Sequence, residues 1–568
     1  MQIHSLLPAW LRHYQRDWLS GDLIAGLIVT VMLIPQSLAY AMLAGLPPET
    51  GLYASILPLI AYALLGSGMT LAVGPVAVAS LMTASSLAPL AAQGTPEYQA
   101  MAIMLALLSG LMLVLAGVLR LGFLAWFLSH PVISGFISGS AVLIAIGQIK
   151  YLLGITFSSS GVLSTLEGLI QHLPDTNVVT AGIGFSALVF LFFARAGLAL
   201  LLTRLGVPAK VAGMVSKLAP MAAVILSTAV VASLHLDDTA QVSIVGKVPA
   251  GLPVLALSLP GWDALHALWV PAMLISLVGF VESVSVAQSL AMKRSQRIQP
   301  DRELLGIGAA NIASALSGGF PVTGGFARSV VNFSAGANTP VAGVISALMI
   351  SGVLLGFTSW FHYLPHAVLS ATIIVAVLGL IDMQTLKDAW HYDKADATAL
   401  LLTFFGVIVF GVEEGIVIGV ALSLAVLVWR SSHPHMAVVG RVPGTEHFRN
   451  IERHQVETLP GLIALRIDES LYFANAQLLE EKIEHLLQQQ PGTRHLLLIL
   501  SAVNQLDTTA LVMLTELERH LTERHIRLHF AEIKGPVLDR LRDTPLGEQM
   551  KDRIYLSTHQ AFLACATS

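Results

Sequence analysis

Charged residues are scarce in this chain, and their scarcity indicates its class. Of 568 residues only 12% are Asp, Glu, Lys or Arg, while 55% are hydrophobic. A soluble domain carries about 25% charged residues. The mean hydropathy is +0.74, so most of the chain is expected to lie in lipid. The formal net charge of −4 gives no reason to expect nucleic acid as a partner.

Cysteine is nearly absent as well, because Cys565 is the single one. One thiol forms no intrachain disulfide and no metal site of the cysteine type, so we expect neither a metal nor another cofactor. The sequence lacks a GxxxxGK[ST] loop, so the chain is not itself an ATP-driven pump. The soluble part shows no nucleophile–base pair, which argues against an enzyme. The first residues show no cleaved signal peptide.

Apolar stretches follow one another almost without a break over residues 22–430. A membrane span needs about 20 such residues, and we count roughly fourteen segments, several of them broken by Gly or Pro. Residues 1–21 are then a cytoplasmic N-terminus. With both termini in the cytoplasm, the basic loop residues lie inside except Lys150 and Lys247, which obeys the positive-inside rule and favours an even number of spans.

Two Gly/Pro-rich segments, 66–80 and 317–331, interrupt this pattern at similar distances from the start of the two halves. Paired interrupted segments in a transporter indicate the binding site of an inverted repeat. A helix that begins inside the membrane offers unpaired N–H groups and about half a positive charge, which together suit an anion. The alternative is that these are kinks that help helices to pack. The residues expected to bind the anion here are Gly74, Pro75, Val76, Ala77, Gly325, Phe326, Ala327 and Arg328.

Four residues are polar or charged within apolar runs, and Arg328 is one of them. Arg328 would add a full positive charge beside the second helix start, the alternative being a structural ion pair or a snorkelling side chain. Glu282 is a candidate for proton coupling, because a carboxyl group in a low-dielectric cavity tends to take up a proton; pairing with Arg328 is the alternative. Gln36 and Tyr40 share one helix face and could donate to an anion or join helices.

Residues 433–568 have the composition of a soluble domain of ordinary size. Strand patterns at 462–467, 495–501 and 526–533 alternate with helix patterns at 476–489 and 508–524, which predicts an α/β sandwich with a mixed or parallel sheet. Asp507 or Thr508 is placed to cap the second helix. The sharper alternative is a regulatory site over Asp507, Thr508 and Thr509.

Several motifs resemble one family of transporters. The stretches IPQSLAYAMLAGLPPETGLYAS, AVGPVAVASLM and GGFPVTGGFARSVVNFSAGANTP look like the signature segments of SulP (sulfate permease) anion transporters. In the soluble part, LYFANA and NQLDTTAL resemble the STAS domain of that family. The resemblance covers nearly the whole chain.

The resemblance implies a mainly α polytopic fold of about fourteen segments in two inverted sets of seven, with core and gate domains and a cytosolic α/β STAS domain. It implies that the anion binds between the starts of segments three and ten, near Gln36, Tyr40, Val76, Ala327 and Arg328. Glu282 matches the acid linked to proton coupling in plant-type sulfate transporters. Two departures stand out: many members carry Ser at Ala327, and bacterial STAS relatives carry a phosphorylated Ser at Thr509.

The function expected from these residues and this resemblance is proton-coupled sulfate uptake by an elevator-like mechanism. Alternatives of the same class are a sodium- or proton-coupled bicarbonate or C4-dicarboxylate transporter, an anion exchanger or a channel. A membrane-tethered STAS regulator is the alternative from another class. We expect a homodimer in a bacterial inner membrane, with membrane lipid around it and a cytosolic protein partner for the STAS domain.

Overall fold

The computed structural model describes residues 9–12, 14–126, 129–157, 161–253 and 261–567. The chain divides into two units, Met1–Ser423 and Leu424–Ser568. The first unit is helical apart from two very short strands, and the second contains a sheet covered by helices.

Helices α1 to α21 and strands β1 and β2 make up the first unit, with the end of α21 leading into the second. They are α1 (Ala9–Arg12), α2 (Trp18–Leu43), α3 (Pro48–Tyr53), α4 (Leu57–Leu65), β1 (Val73–Gly74), α5 (Ala77–Leu87), α6 (Pro96–Val118), α7 (His130–Leu153), α8 (Val162–Gln171), α9 (Val178–Phe193), α10 (Ala199–Arg204), α11 (Ala209–Lys217), α12 (Ala219–Leu234), α13 (Leu236–Thr239), α14 (Trp262–Met292), α15 (Pro300–Leu316), β2 (Thr323–Gly324), α16 (Phe326–Ala335), α17 (Val341–Gly356), α18 (His366–Leu378), α19 (Met383–Tyr392), α20 (Lys394–Phe410) and α21 (Val412–Ser432).

Several of these helices are long and apolar enough to cross a membrane, which confirms a polytopic, mainly α protein. Within the described residues there are 7 such helical segments, or up to 8 if the bent pair of α11 and α12 is one span. Shorter apolar helices such as α5, at 11 residues, fall below a full span of about 20 residues. The count of fourteen spans therefore stays a prediction, because helix length alone does not identify a span that is interrupted.

The helices around the middle of this unit approach each other closely through small residues. A Cβ built on Gly110 of α6 would lie 2.8 Å from the carbonyl oxygen of Gly308 of α15, and a Cβ on Gly308 would lie 2.8 Å from the amide nitrogen of Val114. Ser109 of α6 and Ser276 of α14 share a hydrogen bond of 2.9 Å between their hydroxyl oxygens. Small residues and interhelical hydrogen bonds are the usual means of packing in lipid.

A buried carboxylate fixes the chain just before β1. Glu303, in the first turn of α15, has no solvent exposure. Its Oε1 accepts from the amides of Ser67 and Gly68, both at 2.8 Å, and from the Ser67 hydroxyl at 2.6 Å. Its Oε2 accepts from the Tyr62 hydroxyl at 2.8 Å. One side chain thus holds the end of α4 and the loop that leads to the first short strand.

Replacing Glu303 by Ala should lower the thermal midpoint of the full-length chain in detergent by several degrees. Each buried donor left without its acceptor costs about 1–3 kcal/mol. The matched control is Glu97→Ala, which removes an exposed carboxylate from the first turn of α6. Equal midpoints for the two variants, followed by intrinsic fluorescence, would contradict this role of Glu303.

The second unit is a six-stranded sheet with helices on both faces. Its strand order is β4-β3-β5-β6-β7-β8, with β3 antiparallel to both neighbours and the remaining pairs parallel. Side chains of a strand alternate between the two faces, so one face packs against α22 and α23 and the other against α26. The elements are β3 (Met436–Arg441), β4 (Phe448–Asn450), β5 (Leu462–Ile467), α22 (Ala476–Gln489), β6 (His495–Ile499), α23 (Thr508–Glu523), β7 (Arg527–Ala531), α24 (Gly535–Arg542), α25 (Pro545–Gln549), β8 (Ile554–Tyr555) and α26 (Thr558–Ala566).

This arrangement confirms the predicted α/β sandwich with a mixed sheet. Strand 462–467 and helix 476–489 have the predicted bounds, whereas the strands predicted at 495–501 and 526–533 are shorter, at His495–Ile499 and Arg527–Ala531. The domain boundaries at 21/22 and at 430/433 stay predictions.

Candidate functional site

The two interrupted segments meet as a pair of strands. β1 and β2 are antiparallel, with Val73 opposite Gly324 and Gly74 opposite Thr323. The amide of Gly325 also donates to the carbonyl oxygen of Ala72 at 3.1 Å. Residues about 250 positions apart are therefore joined backbone to backbone inside the helical unit.

Each of these strands leads directly into a helix. Val76 precedes α5 and Gly325 precedes α16, both in extended backbone conformations. Neither Val76 nor Gly325 caps its helix with a side-chain hydrogen bond. The first N–H groups of both helices therefore lack the usual capping partner and carry the positive end of the helix dipole.

A small cavity of about 50 Å³ lies at these two helix starts. It brings together every residue predicted to bind the anion except Gly74, and it includes Glu282. The lining residues are Gln36, Tyr40, Pro75, Val76, Ala77, Val78, Glu282, Gly325, Phe326, Ala327, Arg328, Ala376 and Leu380.

Gly74 lies in β1 beside the cavity rather than in its lining. Its φ is +155°, and a Cβ built on it would lie 3.2 Å from Nη2 of Arg328. Glycine is therefore needed here both for the backbone conformation and for the close approach of the guanidinium group.

Arg328 is the cation of the site and is only 3% exposed. Its Nε donates to the carbonyl oxygen of Ala72 at 3.3 Å, and its Nη1 donates to that of Pro75 at 3.2 Å. Its Nη2 has no hydrogen-bond partner among the described residues. A buried charged donor without a partner is costly, and an anion in the cavity would satisfy it.

Glu282 of α14 and the pair Gln36 and Tyr40 of α2 complete the polar lining. Among the described residues no ion pair of 4.0 Å or less joins Glu282 to Arg328, although the two groups interact electrostatically. Gln36 and Tyr40 are 9% and 8% exposed and lie one turn apart on α2, as their spacing predicts. The cavity therefore combines one carboxyl group, one guanidinium cation and two neutral donors.

Three polar side chains that sequence reasoning missed hold the two strands in place. Ser329 accepts from the Ala72 amide at 2.9 Å, and Ser283 accepts from the Gly324 amide at 2.8 Å. Asn332 donates to the carbonyl oxygen of Thr70 at 3.0 Å. The sequence signal for each of them is that it is a polar residue near Glu282 or Arg328 in the chain.

The lining residues Val78, Ala376 and Leu380 were missed as well. Val78 lies in the first turn of α5, next to residues that were predicted. Ala376 of α18 and Leu380 just after it lie in an ordinary apolar run, where the sequence carries no signal.

In the second unit, Asp507 forms the predicted cap. Its Oδ1 accepts from the Ala510 amide at 2.8 Å, and its Oδ2 accepts from the Phe473 amide at 2.8 Å. Thr508 and Thr509 are exposed in the first turn of α23. The structural alternative for Asp507 is thus observed, while a regulatory role of the two threonines stays a prediction.

Comparison with known proteins identifies the family of the chain. The family profile described as "Sulfate permease family" matches residues 19–403, and the "STAS domain" profile matches residues 453–561. The chain is 34% identical to Sulfate transporter 4.1, chloroplastic, of Arabidopsis thaliana over 99% of this chain and 83% of that protein. It is also 34% identical to a probable sulfate transporter of Mycobacterium tuberculosis over 97% of this chain and 96% of that protein.

The fold has a solved counterpart in the mouse Solute Carrier 26 family member A9 anion transporter in its inward-facing state. The TM-score is 0.89 at 22% identity, over 100% of this chain and 95% of that chain. A polytopic helical unit with a polar cavity between two interrupted helices is the architecture of a membrane transporter rather than of an enzyme. The chain belongs to the sulfate permease family, and it carries a STAS domain.

Replacing Gly74 by Ala should weaken sulfate binding at least about tenfold while leaving the chain folded. The new Cβ would displace the guanidinium group of Arg328, and the backbone strain adds about 1–3 kcal/mol. Isothermal titration of the purified chain measures the effect. Gly251→Ala is the matched control, since Gly251 also has a positive φ (+125°) but, apart from its chain neighbours, no atom of the described residues lies within 4 Å of its Cβ position. Equal affinities for the two variants would contradict the assignment.

Proposed function

We propose that this protein is a secondary transporter of a small oxyanion, with sulfate as its substrate. The strongest support is that two uncapped helix starts, those of α5 and α16, line the same cavity. Beside them lies Nη2 of Arg328, which has no hydrogen-bond partner among the described residues. Backbone N–H groups and a guanidinium group are the donors that recognise oxyanions.

The size of the cavity supports a compact substrate. One water molecule needs about 10–15 Å³ of cavity, so about 50 Å³ holds roughly three to five waters. A tetrahedral oxyanion occupies a comparable space. A C4-dicarboxylate is a larger anion, and competition with fumarate tests that alternative directly. The curated relatives named as sulfate transporters favour sulfate over bicarbonate or chloride.

Proton coupling is the second part of the proposal, and Glu282 would carry the proton. The carboxyl group lines the same cavity as Arg328 without forming an ion pair with it. An ionised carboxylate repels a divalent anion in a site of low dielectric constant, while a protonated one does not. Sulfate and a proton would therefore enter together, and the proton gradient would drive accumulation.

Alternating access would follow from movement of the anion-binding helices against α18. Most of the lining comes from α2, α5, α14 and α16, while Ala376 and Leu380 come from α18 and the residues after it. α18 packs mainly against α7 and α9, and it also contacts α2 of the first group. A displacement of the first group relative to α18 would open the cavity to one side, which is the elevator-like movement expected from two inverted sets of segments.

We also propose that residues 22–430 lie in the membrane, with residues 1–21 and 433–568 in the cytoplasm. The membrane would be a bacterial inner membrane, and the assembly a homodimer. The STAS domain would bind a cytosolic protein partner.

Proteoliposomes containing the full chain should accumulate radiolabelled sulfate faster under an inward proton gradient than without one. Excess unlabelled sulfate should compete, whereas fumarate and bicarbonate should not. Accumulation of bicarbonate or fumarate in place of sulfate would overturn the substrate. Absence of any anion flux, with binding of a cytosolic protein retained, would favour the membrane-tethered regulator. Currents far faster than a carrier cycle permits would favour a channel.

Glu282→Gln should abolish the stimulation of sulfate uptake by the proton gradient. Sulfate-for-sulfate exchange should persist, because Gln resembles the protonated acid in shape and charge. Glu167→Gln is the control, since Glu167 is exposed on α8. A Glu282→Gln variant that keeps full stimulation would show that the proton is carried elsewhere.

A further inference from the structure

Three potential metal ligands lie together in the second unit, whereas the anion cavity belongs to the first. The side chains are His495, His529 and Cys565, and they are 7%, 5% and 8% exposed. One ligand atom from each lies within 4.8 Å of the others. The transport function proposed above makes no use of any of them.

The fold explains why residues so far apart in sequence meet. β6 and β7 are parallel with Leu497 opposite His529, so His495, two residues before Leu497, points to the same face of the sheet. Helix α26 covers that face through Ala561, Phe562 and Cys565. Helix α26 therefore places the thiol of Cys565 beside the two imidazole rings.

The hydrogen bonding of the two histidines is incomplete. Nδ1 of His495 lies 3.0 Å from Nε2 of His529, so these nitrogens are paired with each other. Nδ1 of His529 is buried and has no partner among the described residues. A buried polar atom left unpaired costs about 1–3 kcal/mol, and such an exception calls for a missing ligand or a functional role.

We propose that His495, His529 and Cys565 form a binding site for a thiophilic metal ion, Zn²⁺ in the first place and Cu⁺ as the related alternative. Two imidazoles and one thiolate are a ligand set that both ions prefer. Zinc bonds of about 2.0–2.3 Å place tetrahedral ligand atoms roughly 3.3–3.6 Å apart. One ligand atom of each of the three side chains lies within 4.8 Å of the others, so a bound ion would draw the three atoms together to this range.

The charges around the cluster make the thiol its decisive ligand. Arg494 and Arg527 act electrostatically on His495, and Arg527 and Arg553 act on His529. These cations oppose a positive ion, although Arg553 pairs with Glu518 at 2.7 Å. The negative charge of the thiolate offsets this repulsion. Loss of Cys565 should therefore weaken metal binding by more than the loss of its side-chain packing would explain.

A bound metal would fasten the C-terminal helix to the sheet. Cys565 lies beyond residue 561, where the match to the STAS domain ends, and the ion would join α26 to β6 and β7. Because the metal binds the folded state, it would stabilise this unit in proportion to the logarithm of its free concentration. The site is therefore a candidate structural or metal-responsive element of the soluble domain.

Metal binding by the full-length chain, purified in detergent with an affinity tag that contains no histidine, tests the proposal. After chelator treatment, competition with a zinc-sensitive dye should show one tight Zn²⁺ per chain. Cys565→Ser should weaken it by at least about 100-fold, more than loss of an outer-shell partner. His485→Gln, an exposed histidine on α22, should change nothing. A parallel titration with Cu⁺ decides between the two ions.

A second measurement needs no variant. With Co²⁺ as the probe, the wild-type chain should show a thiolate-to-cobalt charge-transfer band, and Zn²⁺ should abolish it. Zn²⁺ should also slow alkylation of the single cysteine at least about tenfold. Wild-type chain without the cobalt band, or with equal zinc affinity in wild type and Cys565→Ser, would overturn the proposal and leave a packed histidine pair beside a buried thiol.

Discussion

The antiparallel pairing of β1 with β2 is the constraint on which the transport unit depends. Two residues from each strand suffice to hold the starts of α5 and α16 at one place. Ser283 accepts from an amide of β2, Ser329 accepts from the amide just before β1, and Arg328 donates to carbonyl oxygens on either side of β1. Irregular backbone inside a membrane needs such internal partners, and the result is a cavity whose donors are already in place for an anion.

Sequence reasoning named most residues of this cavity because their physical signals are local. Gly and Pro in an apolar run mark a helix that begins within the membrane, and an isolated Arg or Glu there needs a cavity or a partner. These signals led to Val76, Arg328 and Glu282, all of which line the cavity. In the STAS domain, the helix pattern at 476–489 was enough for the bounds of α22.

Other features depend on distant contacts that one sequence does not display. Ala376 and Leu380 sit in an unremarkable apolar run, and only tertiary packing brings them to the cavity. The cysteine count gave no sign of the cluster of Cys565 with His495 and His529, because only the parallel strands and the last helix bring these three side chains together. The number of spans likewise resists a count, since helices such as α5 and α16 are too short to be read as spans.

Anomalous diffraction from crystals of the full chain soaked in selenate, a sulfate analogue with a strong scatterer, tests the central claim most directly. The account predicts one anomalous peak in the cavity, within hydrogen-bond distance of Nη2 of Arg328 and of first-turn amides of both α5 and α16. A peak elsewhere in the membrane unit, or one that contacts only one of the two helix starts, would contradict it.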